Sequence, residues 1–120
     1  MGIIRKFGCA IRGIAEAIRE ENSFKFHFAA AIAAILLGLF LRISADEWAV
    51  LFLVIGLVLV AEMFNTVIER MVRMMTQEQN KLARQLLDIS AGAVLLSSIV
   101  SVVVGIVIFG SKLYSRLFPG

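Results

Sequence analysis

The chain reads as an all-α membrane protein, with an N-terminal interfacial amphipathic helix followed by three transmembrane helices. Three features say so. The 120 residues are 60% hydrophobic, and the mean hydropathy of +0.92 lies far above that of soluble domains. Three uncharged runs occur, at residues 28–41, 48–61 and 89–111. Before them, apolar side chains recur at helical spacing among charged ones. The length argues for a single domain, 1–120. Within it the expected order is a surface helix at 1–24, then spans at 26–43, 48–75 (with a cytoplasmic extension) and 84–112.

The first element rests on Ile3, Ile4, Phe7, Ile11, Ile14 and Ile18, which share one helical face, with Arg5, Lys6, Arg12, Arg19 and three glutamates between them. Such a helix lies on a membrane surface, or else faces the bundle core. It is not a secretory signal, because no apolar core with a small-residue cleavage site follows the first cations. The run at 89–111 is long enough to span by itself. The two shorter runs need their flanks: Lys25, Phe26 and His27 precede the first, Arg42 snorkels at its far end, and the second continues through AEMFNTVIERMVRMM without a helix breaker.

Charge orients these elements. Residues 1–27 carry five Lys and Arg and residues 70–84 carry four, whereas the 42–47 loop carries only Arg42. The positive-inside rule places the N-terminus and the 70–88 segment in the cytoplasm. Lys112 and Arg116 then fall outside, against the rule. The net charge of +3 suits anionic lipid, and no nucleic-acid module is present. Cys9 is the only cysteine, so no intrachain disulfide forms.

The stretch AEMFNTVIERMVR, residues 61–73, carries the chemistry. At 100° per residue, Glu62 and Glu69 lie about 20° apart on the helical wheel, with Asn65 between them and Arg73 on the same face. Ionisable groups at membrane depth are costly and usually face a protein interior or a wet cavity. Two further segments are expected at the same interface. REENSFKFH at 19–27 brings Glu20, Glu21 and His27. LARQLLDISAGAVLL at 82–96 brings Arg84 and Asp88, four apart, beside small residues that allow close helix approach. Carboxylates converging from several helices suit Mg²⁺, which takes oxygen ligands and usually keeps bound phosphates. Metal, oriented nucleophile and base are nearly all that a phosphoryl-transfer site needs. Each residue also has a plainer role: Glu21 as a solvated acid, Asp88 as a helix-start acid, Arg70 and Arg73 as positive-inside anchors, and His27 as an interfacial or hydrogen-bonding side chain.

ENSFKFHFAAA, EMFNTVIE and the Asp-x-x-Ala-Gly-Ala-Val pattern of DISAGAVLL resemble the small prokaryotic diacylglycerol kinase family, which includes undecaprenol kinases. The likeness runs through nearly the whole chain in order. It implies a homotrimer with active sites shared between subunits. It also implies ATP- and Mg²⁺-dependent phosphorylation of a lipid alcohol, undecaprenol or diacylglycerol, at the cytoplasmic face of a bacterial plasma membrane. Residue by residue, it implies Glu62 as general base with Asn65 beside it, Glu69 as metal ligand, Glu21 at a shared metal or nucleotide site, and Asp88 at the nucleotide. An uncharged lipid hydroxyl is a poor nucleophile, which a carboxylate within reach would activate.

Two positions depart from the family pattern. Arg73 stands where family members usually have Asp, and Leu87 where they have Lys. Arg73 can pair with Glu69 and compete with Mg²⁺, or meet a phosphate. Arg84 can replace the cation missing at Leu87. Two outcomes follow: a lipid kinase with rearranged charges, or a weakly active or inactive membrane scaffold or lipid-binding pseudokinase. A channel subunit is disfavoured, since the polar cluster sits at one interface and lines no path across the bilayer.

Overall fold

The computed structural model describes residues 2–76 and 80–119. Residues 77–79, part of the segment expected in the cytoplasm, and the two terminal residues lie outside the described residues. Four helices follow one another: α1 (Ile3–Glu20), α2 (Asn22–Leu41), α3 (Ala45–Met75) and α4 (Lys81–Leu117). There is no strand among the described residues. Three of the helices, α2, α3 and α4, are long and apolar enough to cross a membrane.

Local chemistry explains where each helix stops. Glu21 adopts an extended backbone (φ −104°, ψ 114°), which ends α1 and opens α2. The first junction therefore falls at residue 21, ahead of the 24–26 expected from composition. α2 closes in a Schellman turn: Ile43 N–H donates to Gly38 C=O and Arg42 N–H to Leu39 C=O. Arg42 itself is left-handed (φ 54°, ψ 58°), a conformation that normally favours glycine. α3 opens on a capping box in which the Ser44 side chain accepts from Glu47 N–H and the Glu47 carboxylate accepts from Ser44 N–H. The Asn80 side chain caps α4 by accepting from Ala83 N–H. These caps carry α3 and α4 beyond the uncharged stretches at 48–61 and 89–111.

α3 and α4 pack along each other as the main pair. α2 lies against both, and α1 packs on α2. The apolar core sits at the end where α2 turns into α3, formed by Leu41, Ile43, Leu51 and Ile108 with Trp48 and Phe109 against them. Gly38 is required there: a Cβ on it would lie 2.9 Å from the Trp48 ring. Polar contacts close the same end. Lys112 Nζ lies 3.1 Å from Glu47, and Arg116 donates to the Leu41 carbonyl at 3.0 Å, satisfying an acceptor left over at the end of α2. The two cations that ran against the positive-inside rule are thus both engaged in tying α4 to the α2–α3 turn.

The chain leaves most of its apolar surface open. Leu96 is 65% exposed and Ile106 66%. In α1, Ile4 is 89% exposed and Phe7 65%, so the apolar stripe of this helix is not covered by the rest of the chain. That is the condition for a helix lying on a bilayer, where lipid covers what the protein does not.

Candidate active site

On α3 the buried side chains Leu51, Val54 and Val58 form a core-facing stripe that continues into Glu62 and Thr66. The polar cluster is therefore the extension of the packing face and points at other helices. This is the placement expected of ionisable groups in a spanning helix. Thr66 is already satisfied, its hydroxyl donating to the Glu62 carbonyl one turn back.

Glu62 is only 3% exposed. His27 of α2 approaches it, with Nε2 3.3 Å from Oε2. The two atoms are close enough for charge attraction but not aligned for a hydrogen bond, and Oε2 accepts none from any described residue. The charges of Glu69 and Glu21 also reach Glu62 through space. A carboxylate held this way, buried and without a bonded donor, retains its capacity to accept a proton from an incoming group.

Asn65 joins α3 to α4. Ser90 Oγ donates to Asn65 Oδ1 at 2.7 Å, and Asn65 Nδ2 donates to Glu69 Oε1. The hydroxyl thus fixes which way the amide faces, and the amide fixes one oxygen of Glu69. The other, Oε2, lies 3.9 Å from Arg73, and both side chains of that pair are substantially exposed. Arg73 also donates from Nε to the Glu69 carbonyl. Its hold on the Glu69 carboxylate is loose, since an exposed pair at that separation is well screened.

Glu21 lies at the α1–α2 break. Its Oε1 accepts from Arg70 at 3.0 Å, and the same guanidinium reaches Glu20 at 3.2 Å and Glu16 at 3.4 Å. Arg70 therefore ties the surface helix to α3. Arg84 and Asp88 are both exposed, and their side chains form no hydrogen bond or ion pair with a described residue. Asp88 stands two residues before the buried Ser90, about 200° round the helix and so away from α3. Within one chain the structure brings Glu62, Asn65 and Glu69 together with Glu21 near them, and leaves Arg84 and Asp88 outside that cluster.

Ser90 carries no expectation from the sequence, and Arg70 and His27 have partners that spacing does not show. Ser90 lies seven residues from both Ala83 and Ser97, and all three are buried on α4; that heptad spacing was the available signal. Arg70 was read as an anchor to the membrane surface, whereas it anchors α1. His27 was expected to be an interfacial or hydrogen-bonding residue, and its place beside Glu62 had no signal in spacing.

Three helices of spanning length, with an acidic stripe toward one end of which Glu62 is buried, define a small polytopic membrane protein that carries its polar chemistry at that end. The sequence profile of prokaryotic diacylglycerol kinases matches residues 8–109. An undecaprenol kinase of Bacillus subtilis (strain 168) is 39% identical over 91% of this chain and 89% of its own length. A diacylglycerol kinase of Synechocystis is 34% identical over 86% of this chain and 59% of that protein. One from Escherichia coli (strain K12) is 28% identical over 84% of this chain. The chain belongs to the prokaryotic diacylglycerol kinase family, and is thereby a membrane lipid kinase, a transferase.

Proposed function

We propose that the chain transfers the γ-phosphoryl group of ATP to the primary hydroxyl of a membrane lipid, undecaprenol in the first instance, with Mg²⁺ as the metal. The observation that carries this is the buried Glu62 carboxylate, with Oε2 unpartnered, in one stripe with Asn65 and Glu69. Undecaprenol is put before diacylglycerol because the relative named for it matches over nine-tenths of this chain. Both lipids offer one primary hydroxyl, so the stripe itself distinguishes them little.

In this reading Glu62 takes the proton of the lipid hydroxyl as its oxygen attacks the γ-phosphorus. The bond from that phosphorus to the bridging oxygen breaks, and ADP leaves. Asn65, its amide fixed by Ser90, holds Glu69 in place. Among the described residues no three His, Cys, Asp or Glu side chains group as a metal cage. Mg²⁺ does not require one, being usually held by one or two carboxylates together with phosphates. The oxygen donors of Glu69 and Glu21 fit such an ion, with Arg70 and Arg73 as the competing cations. When bound, the metal would neutralise charge on the phosphates. Arg84 and Asp88 face outward in one chain, which leaves them free to serve a neighbour's nucleotide in the proposed homotrimer. The cation-rich segments 1–27 and 70–84 support a cytoplasmic N-terminus.

The test is ADP formation in mixed micelles with undecaprenol or diacylglycerol, comparing wild type with Glu62→Gln. Lipid-dependent turnover that vanishes in the variant is expected. Equal turnover in both would remove Glu62 as the base.

Arg73 against Glu69 favours a second reading, a weakly active or inactive scaffold. It requires that wild type turn over poorly and that Arg73→Asp combined with Leu87→Lys create activity. Kinase-like rates in the wild type would rule it out.

A further inference from the structure

A buried base that gains a proton in every turnover must also lose one, and Glu62 has little open surface of its own. Its side chain is 4% exposed, whereas that of His27, 3.3 Å away, is 19% exposed. No other described cation lies within ion-pair distance of Glu62. We infer that His27 is the proton outlet of the site, taking from Glu62 Oε2 the proton that the lipid hydroxyl has delivered and passing it to water. This rests on Glu62 being the base.

The balance is simple. The lipid O–H bond breaks as the oxygen–phosphorus bond forms, and the proton goes to Glu62. Protonated Glu62 gives it to Nε2 of neutral His27, and the imidazolium releases one proton to water. Ionised Glu62 and neutral His27 are restored, and no other reactant is needed. Nε2 and Oε2 stand 3.3 Å apart without a hydrogen bond between them, and the terminal torsions of both side chains are soft.

Among the described residues, His27 is the one cationic or imidazole side chain within ion-pair distance of Glu62. His27 borders a cavity of about 110 Å³ between α2, α3 and α4, lined by Ala30, Leu51, Ser101 and Phe109 among others and by no further titratable side chain. From α3, Glu62 faces His27 directly, and Glu69 and Glu21 act on Glu62. On α2 itself, Lys25 is two residues away and exposed. The Phe26 ring stands edge-on to the imidazole at a centroid distance of 5.6 Å.

The experiment measures turnover of full-length protein in mixed micelles with varied lipid and saturating ATP, for wild type, Glu62→Gln, His27→Gln and His27→Ala. Size-exclusion profiles and helical circular dichroism verify that each variant is folded. His27→Ala and His27→Gln are expected to lower kcat roughly tenfold to a hundredfold, with the lipid KM unchanged. Added imidazole should restore most of the loss in His27→Ala, and both variants should lack one ionisation in the kcat–pH profile. Wild-type kcat in folded His27→Gln overturns the inference. So does a loss that imidazole does not restore and that comes with a raised lipid KM, because His27 then only packs. Should Glu62→Gln retain wild-type turnover, the base reading itself has failed, whatever the His27 variants show.

Discussion

The hydroxyl of Ser90 on α4 donates to the Asn65 amide on α3 at 2.7 Å, and that amide donates onward to Glu69. One serine on a neighbouring helix therefore sets the orientation of a carboxylate two bonds away. Removing the hydroxyl frees the amide to turn. A lost buried hydrogen bond is worth about 1 kcal/mol, or about fivefold in an equilibrium constant. Ser90→Ala is expected to raise the half-saturating Mg²⁺ concentration by about that factor with little change in thermal stability. Ser90→Thr, which keeps the hydroxyl, should restore the wild-type value. A metal titration of lipid-dependent ADP release checks both.

Arg73 tests how far the departure from the family pattern matters. Its contact with Glu69 is long and exposed. Arg73→Ala is therefore expected to change turnover by no more than about threefold at physiological salt, where exposed pairs are weak. A rise of a hundredfold would mean that Arg73 blocks the metal in the wild type.

Arg70 draws three carboxylates of the α1 region together. Substituting it leaves Glu16, Glu20 and Glu21 without that cation and repelling one another. Arg70→Met is expected to speed amide hydrogen exchange in α1 several-fold while leaving α4 unchanged. About 1 M salt should shift wild type in the same direction, since these groups are exposed enough to be screened. Exchange followed by mass spectrometry resolves the two helices.

The α2–α3 turn makes opposite predictions at two neighbouring sites. Gly38→Ala drives a methyl into the Trp48 ring and should cost about 1–3 kcal/mol, as overpacking does. Arg42→Gly relieves a left-handed arginine and should add about 1 kcal/mol. Thermal unfolding in detergent measures both.

Much of the fold was open to a reader of the sequence, because run length and helical period are properties of one segment at a time. The Glu62–Asn65–Glu69 stripe was visible for the same reason. What spacing did not show is the register between helices. It gave no sign that Ser90 would meet Asn65, that His27 would face Glu62, or that Arg70 would turn toward α1. The junction at Glu21 was blurred because residues 19–23 are all polar and no helix breaker marks the break. Lys112 and Arg116 looked misplaced as topology signals because their partners, Glu47 and the Leu41 carbonyl, lie on other elements.

The capping box at Ser44 fixes the zero mark of a ruler. Counting from Ala45 at 1.5 Å per residue, Glu62 stands about 26 Å along α3, and Glu69 about 36 Å. A bilayer's hydrocarbon layer is about 30 Å thick. Under the proposed roles, the base lies just beneath the oily boundary and the metal-binding carboxylate just above it. On that reading, the level at which an alcohol's hydroxyl floats, more than the tail below it, would decide what meets the base.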